Sequence, residues 1–283
     1  MSNIDTTPEF DPVGKTEKKR YFPPPNEAFL VLVAALTGAM IAGTVLLRDG
    51  NEATILIELL FLLPPILYLQ VKNYDVKRCL RLNSIPAKQL VSSVLIGLAL
   101  IVLLDEADRL MHLIFPMPPE LLEALGQLMV LDSPWDWVAM IGGGVIAAAI
   151  CEEALFRGFM QLSMEAFSGV TKAVLFCSAL FALAHFNPWW LVQILILGIV
   201  LGFISWRTNS IFPCMLVHAV NNGIAILINN LSSEHSISWY SSGDHVSLSV
   251  IIFAGALLFL GFKMLLQQTE KSFIKTPHID VTA

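Results

Sequence analysis

The sequence predicts an all-α, polytopic membrane helix bundle of about eight transmembrane spans. Three observations predict it. First, 55% of the residues are apolar and 14% are charged, whereas soluble domains average about 45–50% and about 25%. Second, apolar runs of membrane-crossing length recur from residue 27 to residue 266, and mean hydropathy is +0.69. Third, the basic residues between those runs gather in alternate connectors, as the positive-inside rule asks of a multi-pass protein. The lipid bilayer is therefore the partner that composition requires. A net charge of −6 argues against nucleic acid. The four cysteines, Cys79, Cys151, Cys177 and Cys214, form no C-x-x-C pair and no metal-ligand spacing, so no disulfide framework is expected.

In order, residues 1–25 read as a polar cytoplasmic tail closed by Lys18-Lys19-Arg20 and Pro23-Pro24-Pro25; this long polar leader is not a cleavable signal. Residues 26–134 hold the first spans and an interfacial helix. The first span is about Glu27 to Leu47, followed by a turn at Arg48–Asn51. The second runs from about Ala53 to Val71, where Pro64-Pro65 should kink the helix or break its hydrogen-bond ladder. Glu58 lies in this span and reads as a carboxylate near the interface. A basic connector follows (Lys72, Lys77, Arg78, Arg81, Lys88), then a third span from Gln89 to Leu104, which Asp105, Glu106, Asp108 and Arg109 should end. Leu121 to Leu131 has the periodicity of a short interfacial helix, and Trp135 and Trp137 mark a headgroup boundary.

Residues 135–230 carry the chemistry. The fourth span starts near Val138 and should run past Arg157 as one long helix. Spans five to seven are about Lys172–His185, up to Trp206, and Phe212–Asn229. Residues 231–283 supply the last span, Leu248 to Leu266, and a cytoplasmic tail with Lys271 and Lys275. Basic segments fall on one side and the acidic loops 105–136 and 230–246 on the other if both termini are cytoplasmic. No internal repeat is visible, which gives no support to an inverted-repeat transporter.

Within the fourth span, Glu152, Glu153 and Arg157 place three charges in six residues. Each costs roughly 2.5–3.5 kcal/mol at mid-bilayer on insertion scales. On a helix Glu153 and Arg157 share a face, while Glu152 is turned about 100° away and left free. His185 closes the fifth span. His218 and Asn222 stand four apart in the seventh. Polar groups in lipid turn toward the bundle interior, so all of these are expected to converge on one cavity. A carboxylate with an imidazole can deprotonate water, and a second His with an Asn can hold an oxyanion. Glu152, His185 and His218 are equally a possible zinc ligand set with an open position. The residues leave both routes to activated water open. H-E-x-x-H and G-x-S-x-G are absent, and Tyr74-Asp75 and Gly243-Asp244 echo aspartyl proteases only faintly.

Glu152-Glu153-x-x-x-Arg157, Phe181-x-x-x-His185 and His218-x-x-x-Asn222 occur in that order on successive spans. Together they resemble the three motifs of the CPBP family, the type 2 CAAX prenyl endopeptidases and the bacteriocin-processing and self-immunity proteins. The resemblance covers roughly residues 135–230. It implies an intramembrane endopeptidase near the cytosolic face, acting on a membrane-associated protein or peptide, in a bacterial inner membrane. By position, Glu152 and His185 would activate water, His218 and Asn222 would stabilise the oxyanion, and Glu153, Arg157 and Phe181 would support them. The family is often called a metalloprotease group, which leaves zinc as an open cofactor. A prenylated substrate is not implied, and the carboxyl end Val281-Thr282-Ala283 is no CAAX box. The rival readings are a non-catalytic immunity or scaffold protein, and an ion or proton pathway.

Overall fold

The computed structural model describes residues 21–46, 53–231 and 239–273. The basic leader before residue 21, the turn at Arg48–Asn51, Glu234 and Lys275 lie outside them. The described helices are α1 (Pro25–Leu46), α2 (Thr54–Val71), the single turn α3 (Val76–Cys79), α4 (Ala87–Ile114), α5 (Pro119–Leu128), α6 (Pro134–Ser168), α7 (Val170–Leu183), α8 (Leu191–Thr208), α9 (Phe212–Leu231) and α10 (Leu248–Phe273). A two-residue hairpin of β1 (Ser241–Ser242) and β2 (His245–Val246) precedes α10.

Seven of these helices, α1, α2, α4, α6, α8, α9 and α10, are long and apolar enough to cross a membrane. The protein is an integral, multi-pass, all-α membrane bundle. The fifth expected span is the short one: α7 has 14 residues, about 21 Å at 1.5 Å per residue, against a hydrocarbon core of about 30 Å. It stops at Leu183 because the chain turns through Phe186 (φ 51°), and Asn187 then takes up the N–H groups of Trp189 and Trp190 through Oδ1. The returning α8 runs antiparallel to it, with Gly198 against Ser178 and Gly202 against Val174.

Contacts at the helix ends give the direction of every element. At one end of the bundle Ser163 donates to the Pro23 carbonyl, Asn83 to the Asn209 carbonyl, and Gln268 to the Lys88 carbonyl. At the other, the Leu131 N–H donates to Asn230, Tyr240 to Asp105, and the hairpin's His245 and Val246 N–H to Glu106. The start of α1 and the end of α10 therefore share an end, together with the basic connector.

Two local expectations need revision. The third span does not end at Leu104: α4 continues to Ile114, with Asp105 paired to Arg109 one turn on, His112 3.6 Å from Asp108, and Glu106 met by the hairpin's His245 and Val246. The helix α2 runs through Pro64 and Pro65, and the N–H groups that these two residues lack are the expected gaps in its ladder. Arg81 is not a surface member of the basic connector. It is buried, adopts the left-handed region (φ 51°), pairs with Glu165, and donates to Ser205 Oγ at 3.1 Å. An arginine holds that backbone only where its partners over-determine it.

α6 carries the motif. Its 35 residues span about 52 Å, longer than the bilayer core. Two of its stretches, Met140–Ala147 and Ala154–Met160, are π-helical and flank the α-helical turn Ala148–Glu153. π segments concentrate at functional sites. Two glycines seat this helix. A Cβ on Gly143 would fall 2.7 Å from the Thr54 side chain, and one on Gly158 2.8 Å from the Leu80 carbonyl oxygen. The core beside the motif packs Leu32, Leu69, Leu155, Phe156, Phe159 and Phe181. Large apolar residues such as Leu30, Val71, Ile146 and Leu248 stay exposed on the outside, where lipid covers them.

Candidate active site

The motif residues form two adjoining groups with one aromatic ring between them. Glu152 and His185 line a single small cavity of about 70 Å³ with Phe61, Phe156 and Ala184. That is room for water, which needs roughly 10–15 Å³ of such space per molecule. Glu152 projects from the α-helical turn between the π segments, and its Oε2 is buried without a donor among the described residues. His185 stands just past the end of α7, with Nδ1 2.8 Å from the Phe181 carbonyl oxygen. A carbonyl only accepts, so Nδ1 carries a proton, and in the neutral tautomer Nε2 is the nitrogen with the lone pair.

The second group is dry. Glu153, Arg157 and His218 are all buried. Glu153 Oε1 accepts from Arg157 Nη1 and from His218 Nδ1, each at 2.9 Å. The Arg157 guanidinium also lies over the Phe181 ring, 4.0 Å from its centroid. Phe181 meets His185 edge-on at 4.9 Å and His218 at 5.9 Å. The aromatic of the second motif thus touches both groups, and the charge of Glu152 still reaches His218. Asn222, one turn beyond His218, donates to the Gly144 carbonyl at 3.0 Å.

The depths agree although the sequence positions suggest otherwise. His218 is six residues into α9, about 9 Å, while Glu153 is 15 residues from the end of α6 that shares its side, about 22 Å. α6 overshoots its neighbours: its last turns carry Gln161 and Glu165, which meet Gly202 and the buried connector residue Arg81.

The structure brings Glu152 to His185 and Glu153 to His218, so the two histidines serve different carboxylates. Among the described residues no group of three or more His, Cys, Asp or Glu side chains stands together as a metal ion would need. His218 is turned to Glu153, and the set Glu152, His185 and His218 is not assembled around one point.

Sequence reading missed α2 as a wall of this site. Phe61 lines the cavity. Glu58, read as an interface carboxylate, stands close enough to Glu152 for their charges to interact, with its own Oε2 buried and without a donor among the described residues. The signal was present, an acid in an apolar span, but only the packing of α2 along α6 shows which way it faces. The four cysteines are free and buried. Cys79, outside the spans, has its thiol pushed up to about 11 by burial, which leaves it a poor nucleophile.

Residues 134–224 match the family described as type II CAAX prenyl endopeptidase, Rce1-like. The match runs from the start of α6 to beyond Asn222 on α9, so it holds all three motifs and leaves α1–α5 and α10 outside. No curated protein and no solved structure matches the chain.

Proposed function

We propose, from a core of the type II CAAX prenyl endopeptidase family, that this membrane protein hydrolyses a peptide bond of a membrane-associated substrate with water activated by Glu152 and His185. One observation carries the reading: a carboxylate oxygen without a donor among the described residues and an imidazole held through Nδ1 line one cavity large enough for water. Glu152 takes a proton from the water as its oxygen attacks the carbonyl carbon, His185 Nε2 holds that water's second hydrogen, and Glu152 returns the proton to the leaving amine nitrogen as the C–N bond breaks. Glu153 accepts from His218 Nδ1, and in its doubly protonated form the ring keeps Nε2–H as a donor. Asn222 uses one amide hydrogen on Gly144 and keeps a second. These two are the donors for the oxyanion. Arg157 neutralises Glu153, which keeps the triad from placing a bare negative charge beside the forming oxyanion.

The bundle end that holds the basic connector lies about 9 Å from His218 along α9. Basic connectors face the cytosol, so the substrate approaches from the cytosolic side, with both termini cytoplasmic.

Membrane proteomics tests the reading. Cells with the wild-type protein should show protein amino termini that are missing from cells with Glu152→Gln, which keeps the side chain's size and removes its basicity. Identical termini in both, with the cellular phenotype intact, would make this a scaffold or immunity protein.

A further inference from the structure

Glu58 has no role in the motifs and lies outside the matched residues 134–224. Its position is nonetheless determined by contacts on both sides of it. Four residues before it, Thr54 packs on Gly143; three after it, Phe61 enters the cavity with Glu152 and Phe156. Residues three apart share a helix face, so α2 presents Glu58 to α6 at the level of Cys151 and Glu152. The charges of Glu58 interact with both of those residues.

Two carboxylates side by side in an apolar span repel, and each has a buried oxygen without a donor among the described residues. The nearest motif cation cannot relieve them, because Arg157 donates to Glu153. A single proton held between the two carboxyls removes one charge and supplies the missing donor at once. We propose that Glu58 is a positioning residue of the active site: as the carboxyl partner of Glu152 it holds the Glu152 carboxylate in the cavity, so that α2 belongs to the catalytic apparatus. This rests on Glu152 acting on water, and it adds a residue that the family motifs do not contain.

Two measurements on the full-length protein in lipid nanodiscs test it. The first needs no peptidase activity. Dicyclohexylcarbodiimide is apolar and modifies protonated carboxyls within a membrane. Peptide mapping should find it on Glu58 or Glu152 and not on the exposed Glu123. Absence of label from both would overturn the pair. The second uses a peptide spanning a Glu152-dependent cleavage site. Glu58→Ala should lower kcat about 10–100-fold, the range expected when a catalytic group is misplaced, with KM within about twofold. Glu58→Gln, whose amide N–H can still donate to Glu152, should recover kcat to within about threefold. A purely structural Glu58 would not show this split and rescue. A fully active Glu58→Ala protein, or a Glu58→Gln protein as slow as Glu58→Ala, would overturn the role. If no Glu152-dependent cleavage exists at all, the endopeptidase reading fails, and the labelling result still decides the pair.

Discussion

At the scale of the residue, the two adjacent glutamates do opposite work because one helical position separates them. Glu153 points into the protein and is spent on Arg157 and His218; Glu152 lines the cavity, with one oxygen buried and without a donor among the described residues. Losing general-base help typically costs about 10²–10⁴-fold in rate. Glu152→Gln should therefore fall within that range in a cleavage assay while the protein stays folded, since an amide of the same size can still meet Glu58 and Glu152 Oε2 has no donor among the described residues to lose. Arg157 should behave differently. Removing one partner of a buried pair strands the other charge and typically costs about 3–5 kcal/mol. Here the stranded group would be Glu153, which also orients His218. Arg157→Ala should lower the thermal unfolding midpoint in detergent as well as abolish cleavage. A folded, active Arg157→Ala protein would show that His218 alone satisfies Glu153.

At the scale of the element, α6 is the part that cannot be altered freely. Its two π segments widen the helix on either side of Glu152 and Glu153, and its glycines let α2 and the connector approach the backbone. Gly158→Ala tests this. The added Cβ would meet the backbone of Leu80 rather than the movable end of a side chain, and Leu80 directly precedes Arg81, whose partners Glu165 and Ser205 hold the connector down. Overpacking of this kind costs about 1–3 kcal/mol. The expected outcome is a lower unfolding midpoint, measured by circular dichroism on heating, together with reduced cleavage. An unchanged midpoint would mean that the connector is free to lift.

At the scale of the whole molecule, the alternating helix directions place the described ends of α1 and α10 together. Lys172 and Asp244 are exposed at opposite ends of the bundle. The four natural cysteines are buried, so a single introduced cysteine reports its own side. With the termini cytoplasmic, a membrane-impermeant maleimide should modify Asp244→Cys in intact cells and Lys172→Cys only after permeabilisation. The reverse pattern would invert the topology.

What was determined by sequence alone follows from rules that act along the chain. The spans are legible because transfer into lipid sums over neighbouring residues. The Glu153–Arg157 pair is legible because a helix repeats every 3.6 residues, and the freedom of Glu152 follows from the same geometry. The overshoot of α4 past Asp105 was not legible: Asp105 pairs with Arg109 inside the helix, while Glu106 is met by His245 and Val246, far away in sequence. Tertiary structure alone decided the rest, because these partners lie far apart in sequence. Glu153 and His218 are separated by 65 positions, and Arg81 and Glu165 by 84. Nothing local says which histidine goes to which carboxylate, that a connector arginine dives into the bundle, or that Glu58 faces Glu152. Those outcomes depend on how long helices cross, on where glycines let backbones close in, and on the requirement that each buried charge find an opposite charge or a proton.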